Sequence, residues 1–92
     1  MNPISDTGKP RLAEKARLKW DNVREKNLLL FPEGVLLLNP TAHSVLALCD
    51  GHRDINEIVK TLENQFHATG LLQDVKEILQ RLADKGLVNI LE

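Results

Sequence analysis

The sequence predicts an α+β fold: a three-stranded antiparallel meander followed by three helices, in a winged-helix-like order. Three observations carry that prediction. Apolar residues between Leu18 and Leu38 come in short runs broken by turn residues. Beyond Asn39 they recur at helical spacing. Pro32 and Gly34 bar a single helix from joining the two apolar tetrads on either side of them.

Taken in order, residues 1–14 are polar, carry Pro3, Gly8 and Pro10, and offer little to bury, so they read as a mobile tail. Residues 15–92 form the single domain that a 92-residue chain can hold. Leu18 and Trp20 alternate with Lys19 and Asp21 in a first strand, and the polar stretch from Asp21 to Asn27 holds a turn. Leu28-Leu29-Leu30-Phe31 and Val35-Leu36-Leu37-Leu38 then make a hairpin around Pro32-Glu33-Gly34. Asn39 followed by Pro40 is an N-cap with proline at the first helical position. Ala42, Val45, Leu46 and Cys49 share one helical face, and Asp50-Gly51 ends that helix with Gly51 as a left-handed cap. Asp54 and Glu57 are spaced as a capping box ahead of the stripe Ile55, Ile58, Val59, Leu62 and Phe66. Ala68-Thr69-Gly70 breaks the second helix, Leu71 to Leu82 carries the third stripe, and Gly86 stops it. Val88 to Leu91 reads as a short extended tail or final strand.

Composition excludes several function classes. The net charge is -1, which is wrong for a strongly basic nucleic-acid coat. Charge is uneven, however: residues 1–26 hold seven Lys/Arg against four acids, and residues 27–92 hold five against nine. That places a basic arm on an acidic body, either solvated or docked on an acidic partner. No apolar run approaches the ~20 residues of a membrane span. The N-terminus lacks the charged and apolar regions of a secretory signal, so the expectation is a small, reduced, cytoplasmic protein.

Catalytic chemistry is not written in the chain. Its one cysteine, Cys49, lies on the apolar stripe of the first helix and reads as core. Cys49 and His52 could approach one metal, but no second pair completes a ligand set, so no metal and no cofactor are expected. No glycine-rich phosphate loop, nucleophile elbow or H-E-x-x-H occurs. The chain reads as a binding module rather than an enzyme.

Two surfaces compete for that role. Three helices beside a small sheet suggest DNA binding, but the third helix sets Lys76, Arg81 and Lys85 against Asp74, Glu77 and Asp84, and no face collects unopposed cations for phosphates. The other surface is the last strand of the meander, Val35 to Leu38, which has one sheet neighbour and neither charge nor proline to block pairing. Beside a broad apolar helix this edge makes a groove for an extended peptide. The rival outcomes are that Val88–Leu91 fills the edge, or that both surfaces are plain core.

The landmarks Leu30-Phe31-Pro32-Glu33-Gly34, Leu38-Asn39 with Ala42, and Leu46 leading to Cys49-Asp50-Gly51 form an ordered set. They are followed by Ile58 with Leu62 and by Leu79-x-x-Leu82 closing on Gly86-Leu87. Over Pro10 to Leu91 this set resembles the PqqD family, peptide chaperones of pyrroloquinoline quinone biosynthesis within the wider class of precursor-peptide recognition domains. The resemblance implies a chaperone without an active site or cofactor. It would bind the PqqA-type precursor peptide and present it to a PqqE-type radical-SAM enzyme that links a glutamate to a tyrosine. It implies a peptide strand beside Val35, Leu36, Leu37 and Leu38, packed against Val75, Ile78, Leu79 and Leu82 of the third helix. Partners outside that pair, nucleic acid and membrane included, are not expected. An open edge also invites pairing between copies, so the expectation is a monomer, with a strand- or element-swapped dimer possible at high concentration.

Overall fold

Asn39 divides the architecture: four strands precede it, and three helices and a last strand follow it. The computed structural model describes residues 4–91. Its elements are β1 (Lys9–Leu12), β2 (Arg17–Asp21), β3 (Lys26–Phe31), β4 (Gly34–Leu38), α1 (Pro40–Ala47), α2 (Ile55–Phe66), α3 (Leu72–Asp84) and β5 (Val88–Leu91). The expected meander is the antiparallel sheet β2-β3-β4, and the three helices follow it in order.

Register sorts the meander's side chains onto two faces. Leu18, Leu29 and Leu36 stand opposite one another, as do Trp20, Asn27 and Leu38. Leu29 and Leu38 are buried in the core from this face, with Leu18, Leu36 and Phe31 packed against them. Because strand side chains alternate, Leu28, Leu30, Val35 and Leu37 point to the opposite face. At the first turn Asp21 Oδ1 accepts from the amides of Val23 (3.0 Å) and Arg24 (3.3 Å). The second turn needs only Pro32 and Glu33, which leaves Gly34 paired with Phe31 as the first residue of β4.

The helices obey their caps. Asn39 Oδ1 accepts from the Ala42 amide at 2.7 Å, and Pro40 follows it at a position that lacks an intrahelical partner in any case. Asp54 and Glu57 close a reciprocal capping box at 2.8 and 3.1 Å. α1 ends sooner than its apolar stripe implies, at Ala47 with Leu48 as cap. Gly51 does adopt a positive φ of 81°, but in the following turn, where its amide donates to the Pro10 carbonyl at 3.0 Å. A side chain there would press on Arg11 at 3.2 Å as well as strain the backbone. α3 begins without a side-chain cap of its own. Instead Glu63 of α2 accepts from the Leu71 amide at 3.1 Å, so one helix caps the approach to the next.

The core lies between the meander and the helices. Leu29, Val45, Ile55, Ile58, Leu62, Val75 and Leu79 are its fully buried members. Each such aliphatic side chain contributes roughly 1.5–3 kcal/mol on burial.

The tail expected over residues 1–14 is corrected by a second sheet. β1 pairs antiparallel with β5, Lys9 facing Leu91 and Leu12 facing Val88. On its other side the Leu12 amide donates to the Cys49 carbonyl, Gly51 donates to Pro10, and Arg11 bridges to Asp50. The carbonyls of Gly8 and Asp6 accept from the Ile55 and Asn56 amides at 3.0 and 3.2 Å, satisfying donors that the start of α2 leaves free. Lys76 of α3 binds Asp6 at 2.6 Å. Apolar density predicted a tail because it overlooks backbone hydrogen bonds and the burial of Gly8 and Pro10. Residues 1–3 of that stretch lie outside the described residues.

Candidate functional site

β4 has a sheet neighbour on one side only. Its five residues pair with β3 through the register Leu38–Asn27 to Gly34–Phe31. Among the described residues no other strand joins its outer side, and no backbone hydrogen bond reaches it from a loop. The segment that could have filled that place, Val88–Leu91, pairs with β1 instead. About 17 Å of strand edge, at ~3.4 Å per residue, therefore presents unpaired main-chain donors and acceptors.

A groove runs beside this edge, between β4 and the C-terminal half of α3. It holds about 170 Å³ and is lined on the sheet side by Leu36, Leu37 and Leu38 and on the helix side by Ile78, Arg81 and Leu82. Asn39 and Ala42 close one end and Lys85 the other. Lys85 also borders a larger cavity of about 600 Å³ around Ala16, Phe31, Pro32 and Leu87. Lys85 is the one residue that lines both hollows.

The eight residues expected at the site occupy different depths. Val35 and Leu37 are 53% and 55% exposed on the open edge. Leu36 is half-buried and Leu38 buried, both turned towards the core. On α3, Ile78 is half-buried and faces the groove. Leu82 is nearly buried and touches the groove from below. Val75 and Leu79, at 1% and 0% exposure, lie within the core and support the groove floor without lining it. Periodicity could not separate these two sets, since an apolar stripe on a packed helix is at least about 100° wide.

Arg81, Lys85, Asn39 and Ala42 line the groove without having been expected there. The cations were legible as helix charges, but only the fold turns them to this side. Among the described residues neither Arg81 nor Lys85 has an ion-pair partner, whereas Lys76 is held by Asp6.

Cys49 and Asp50 serve structure. Cys49 Sγ donates to the Val45 carbonyl at 3.3 Å. Burial, reinforced by the neighbouring charge of Asp50, pushes its thiol up to about 12, so it is protonated at neutral pH and a poor nucleophile. Asp50 is held below the usual carboxylate range, first by the amide of His52 and then by that of Arg53, both of which donate to it. Among the described residues no three His, Cys, Asp or Glu side chains converge as metal ligands. None of their helices is long and apolar enough to cross a membrane.

Three comparisons bear on this arrangement. The family model described as "Coenzyme PQQ synthesis protein D (PqqD)" matches residues 27–88, from the start of β3 into β5. The "PqqA binding protein" of Methylococcus capsulatus is 35% identical over 77 residues, 84% of this chain and 83% of that protein. The "PqqA binding protein" of Rhodopseudomonas palustris is 40% identical over 87 residues, 92% of this chain and 85% of that one. In three dimensions the chain is similar to the solution NMR structure of the PqqD truncation of Methylobacterium extorquens PqqCD. That structure, described as a functional and stand-alone recognition element for ribosomally synthesized and post-translationally modified peptides, superposes with a TM-score of 0.81 at 33% identity over 94% of both chains.

Proposed function

The chain belongs to the PqqD family, and on that premise we propose that it is a non-catalytic cytoplasmic chaperone for a PqqA-type precursor peptide. The peptide adds as a fourth strand to β4, and the loaded protein presents it to a PqqE-type radical-SAM enzyme. The observation that carries this reading is the unpaired outer edge of β4 beside an apolar groove, left open because β5 pairs with β1. Strand addition supplies hydrogen bonds worth about 0.5–1.5 kcal/mol each, and alternate peptide side chains enter the groove to give selectivity. Leu36, Ile78 and Leu82 form its apolar wall; Val75 and Leu79 hold that wall in place. The names of the relatives and the recognition-element description of the solved neighbour support the same assignment.

The chaperone acts by position. Holding one part of the peptide raises the local concentration of its reactive residues at the enzyme and makes their encounter effectively intramolecular. Isotope-edited NMR with added precursor peptide tests the reading. The amides of Val35 to Leu38, Ile78 and Arg81 shift on titration, while those of β1 and β5 stay in place. A titration in which the β4 amides stand still would sink it.

A further inference from the structure

The face of the meander turned away from the helices is unusual for its kind. An antiparallel sheet with one packed face ordinarily shows polar residues on the other. Here that face carries Leu28, Leu30, Val35 and Leu37 in neighbouring cross-strand positions. Leu28 is buried although it stands outside the main core cluster, because strand neighbours surround it: Lys19 and Leu37 across the sheet, Lys26 and Leu30 along β3. Of the six large apolar side chains exposed among the described residues, Val35 and Leu37 lie on this face, while Trp20 shares the opposite face with Leu38. A concavity of about 350 Å³ opens beside Lys19, Trp20, Leu28 and Leu30.

The charges on this face have one sign. Register places Arg17, Lys19 and Lys26 on it together with a single acid, Asp21. Asp21 is engaged by the turn amides and by Arg24 at 3.8 Å, and the three cations have no ion-pair partner among the described residues. The basic N-terminal part of the sequence is therefore no free arm: its strand β2 delivers two of those cations to the border of an apolar patch. The patch is also continuous with the peptide edge. In a strand added to β4, alternate side chains sink towards α3 and the others emerge beside Val35 and Leu37.

We propose that this outer face, apolar at Leu28, Leu30, Val35 and Leu37 and bordered by Arg17, Lys19 and Lys26, is where the peptide-processing enzyme docks, through an apolar patch ringed by carboxylates. The inference rests on the peptide reading above. It adds that the enzyme contacts a composite surface, half chaperone and half bound peptide, so it engages the loaded protein more tightly than the empty one. The groove on the other side of the bound strand stays filled and out of reach.

The test is a titration of the radical-SAM enzyme into the full-length protein, with and without the precursor peptide. The double variant Arg17→Glu/Lys19→Glu lies on β2, two strands away from the peptide edge. It lowers enzyme affinity by about tenfold or more while peptide affinity stays within about twofold, and the wild-type affinity falls as salt is raised. Leu30→Thr keeps a good strand former but removes apolar surface, and lowers enzyme affinity without the salt effect. Should the charge reversal fail to fold by circular dichroism, Lys19→Gln takes its place. Wild-type enzyme affinity in both the charge variant and Leu30→Thr overturns the proposal. So does a tight wild-type dimer at low micromolar concentration that Leu30→Thr converts to monomer, since the face then belongs to a second copy. The peptide reading is judged separately, by the β4 amide shifts.

Discussion

β1 and β4 are both short strands at the margin of their sheets, yet only one is available for pairing. β1 has β5 on one side and the Cys49–Gly51 turn on the other, so its main chain is committed on both. β4 has β3 on one side and nothing hydrogen-bonded to it on the other among the described residues. The difference does not follow apolar content, for β4 is the greasier of the two. It follows from where the C-terminal strand goes. By pairing with β1, β5 closes that edge and leaves the β4 edge open, and of the edges left open among the described residues the β4 edge is the one flanked by the groove of Ile78 and Leu82.

Placing one substitution in each sheet separates the two roles most sharply. Val88→Asp, in β5, buries a carboxylate at a position only 2% exposed and opposite the apolar Leu12 in register. The cost is several kcal/mol, comparable with the ~3–5 kcal/mol that a core of this size supplies. Thermal melts followed by circular dichroism should show a chain largely unfolded at room temperature. Leu37→Asp, on the half-exposed edge of β4, leaves the fold within about 1 kcal/mol of wild type. It lowers peptide affinity by about tenfold or more in calorimetric titration, and a parallel loss of helix content would show the effect to be structural instead.

Amide exchange sharpens the same contrast without mutation. The amides of β1 and β5 that pair across their sheet exchange slowly in the free protein, and those of β4 that face outward exchange fast. Added peptide slows the latter by about tenfold or more while leaving the former unchanged. Equal protection of both strands in the free protein would mean that the edge is already closed.

Smaller effects come from titration. The folded state holds the Cys49 thiol protonated, so its contribution is complete below the ordinary value of 9.0 and is lost as pH rises towards about 12. Native Cys49 should resist alkylation at neutral pH and react only on unfolding, and fast labelling of the native protein would contradict the burial. Asp50 behaves in the opposite sense. Its lowered value makes a contribution that is present above the ordinary carboxylate range and lost as pH falls below it. Asp50→Ala removes the acceptor for two turn amides beside β1, and should lower the melting temperature slightly at neutral pH and not at all in strong acid. Asp50→Asn keeps an acceptor but not the charge that faces Arg53, and should melt between wild type and Asp50→Ala at neutral pH.

How much of this was legible in the sequence differs from strand to strand. β3, β4 and the turn between them could be read from two apolar tetrads and Pro32-Glu33-Gly34. The caps at Asn39 and Asp54 could be read because capping is local chemistry between residues three apart. The apolar outer face also left a signal: four consecutive apolar residues put apolar side chains on both faces of a strand, not one. β1 could not be read, because Lys9-Pro10-Arg11-Leu12 has no run to mark it and is ordered by distant partners at residues 49–51 and 88–91. The depth of Val75 and Leu79 against Ile78 was equally hidden, since three neighbours on one stripe differ only in what the rest of the chain packs over them.

The amino-acid sequence by itself determined the order of the meander and the three helices, the caps of α1 and α2, the aliphatic core stripes and the absence of familiar catalytic motifs. These depend on residues within about one helical turn or one hairpin of each other. Tertiary structure decided which edge stays open, which α3 side chains reach the groove, and that the basic N-terminal stretch is built into two sheets. Those outcomes depend on the pairing of β1 with β5, two segments from opposite ends of the chain. No local pattern records such a pairing, because its free energy comes from contacts that exist only once the core has formed.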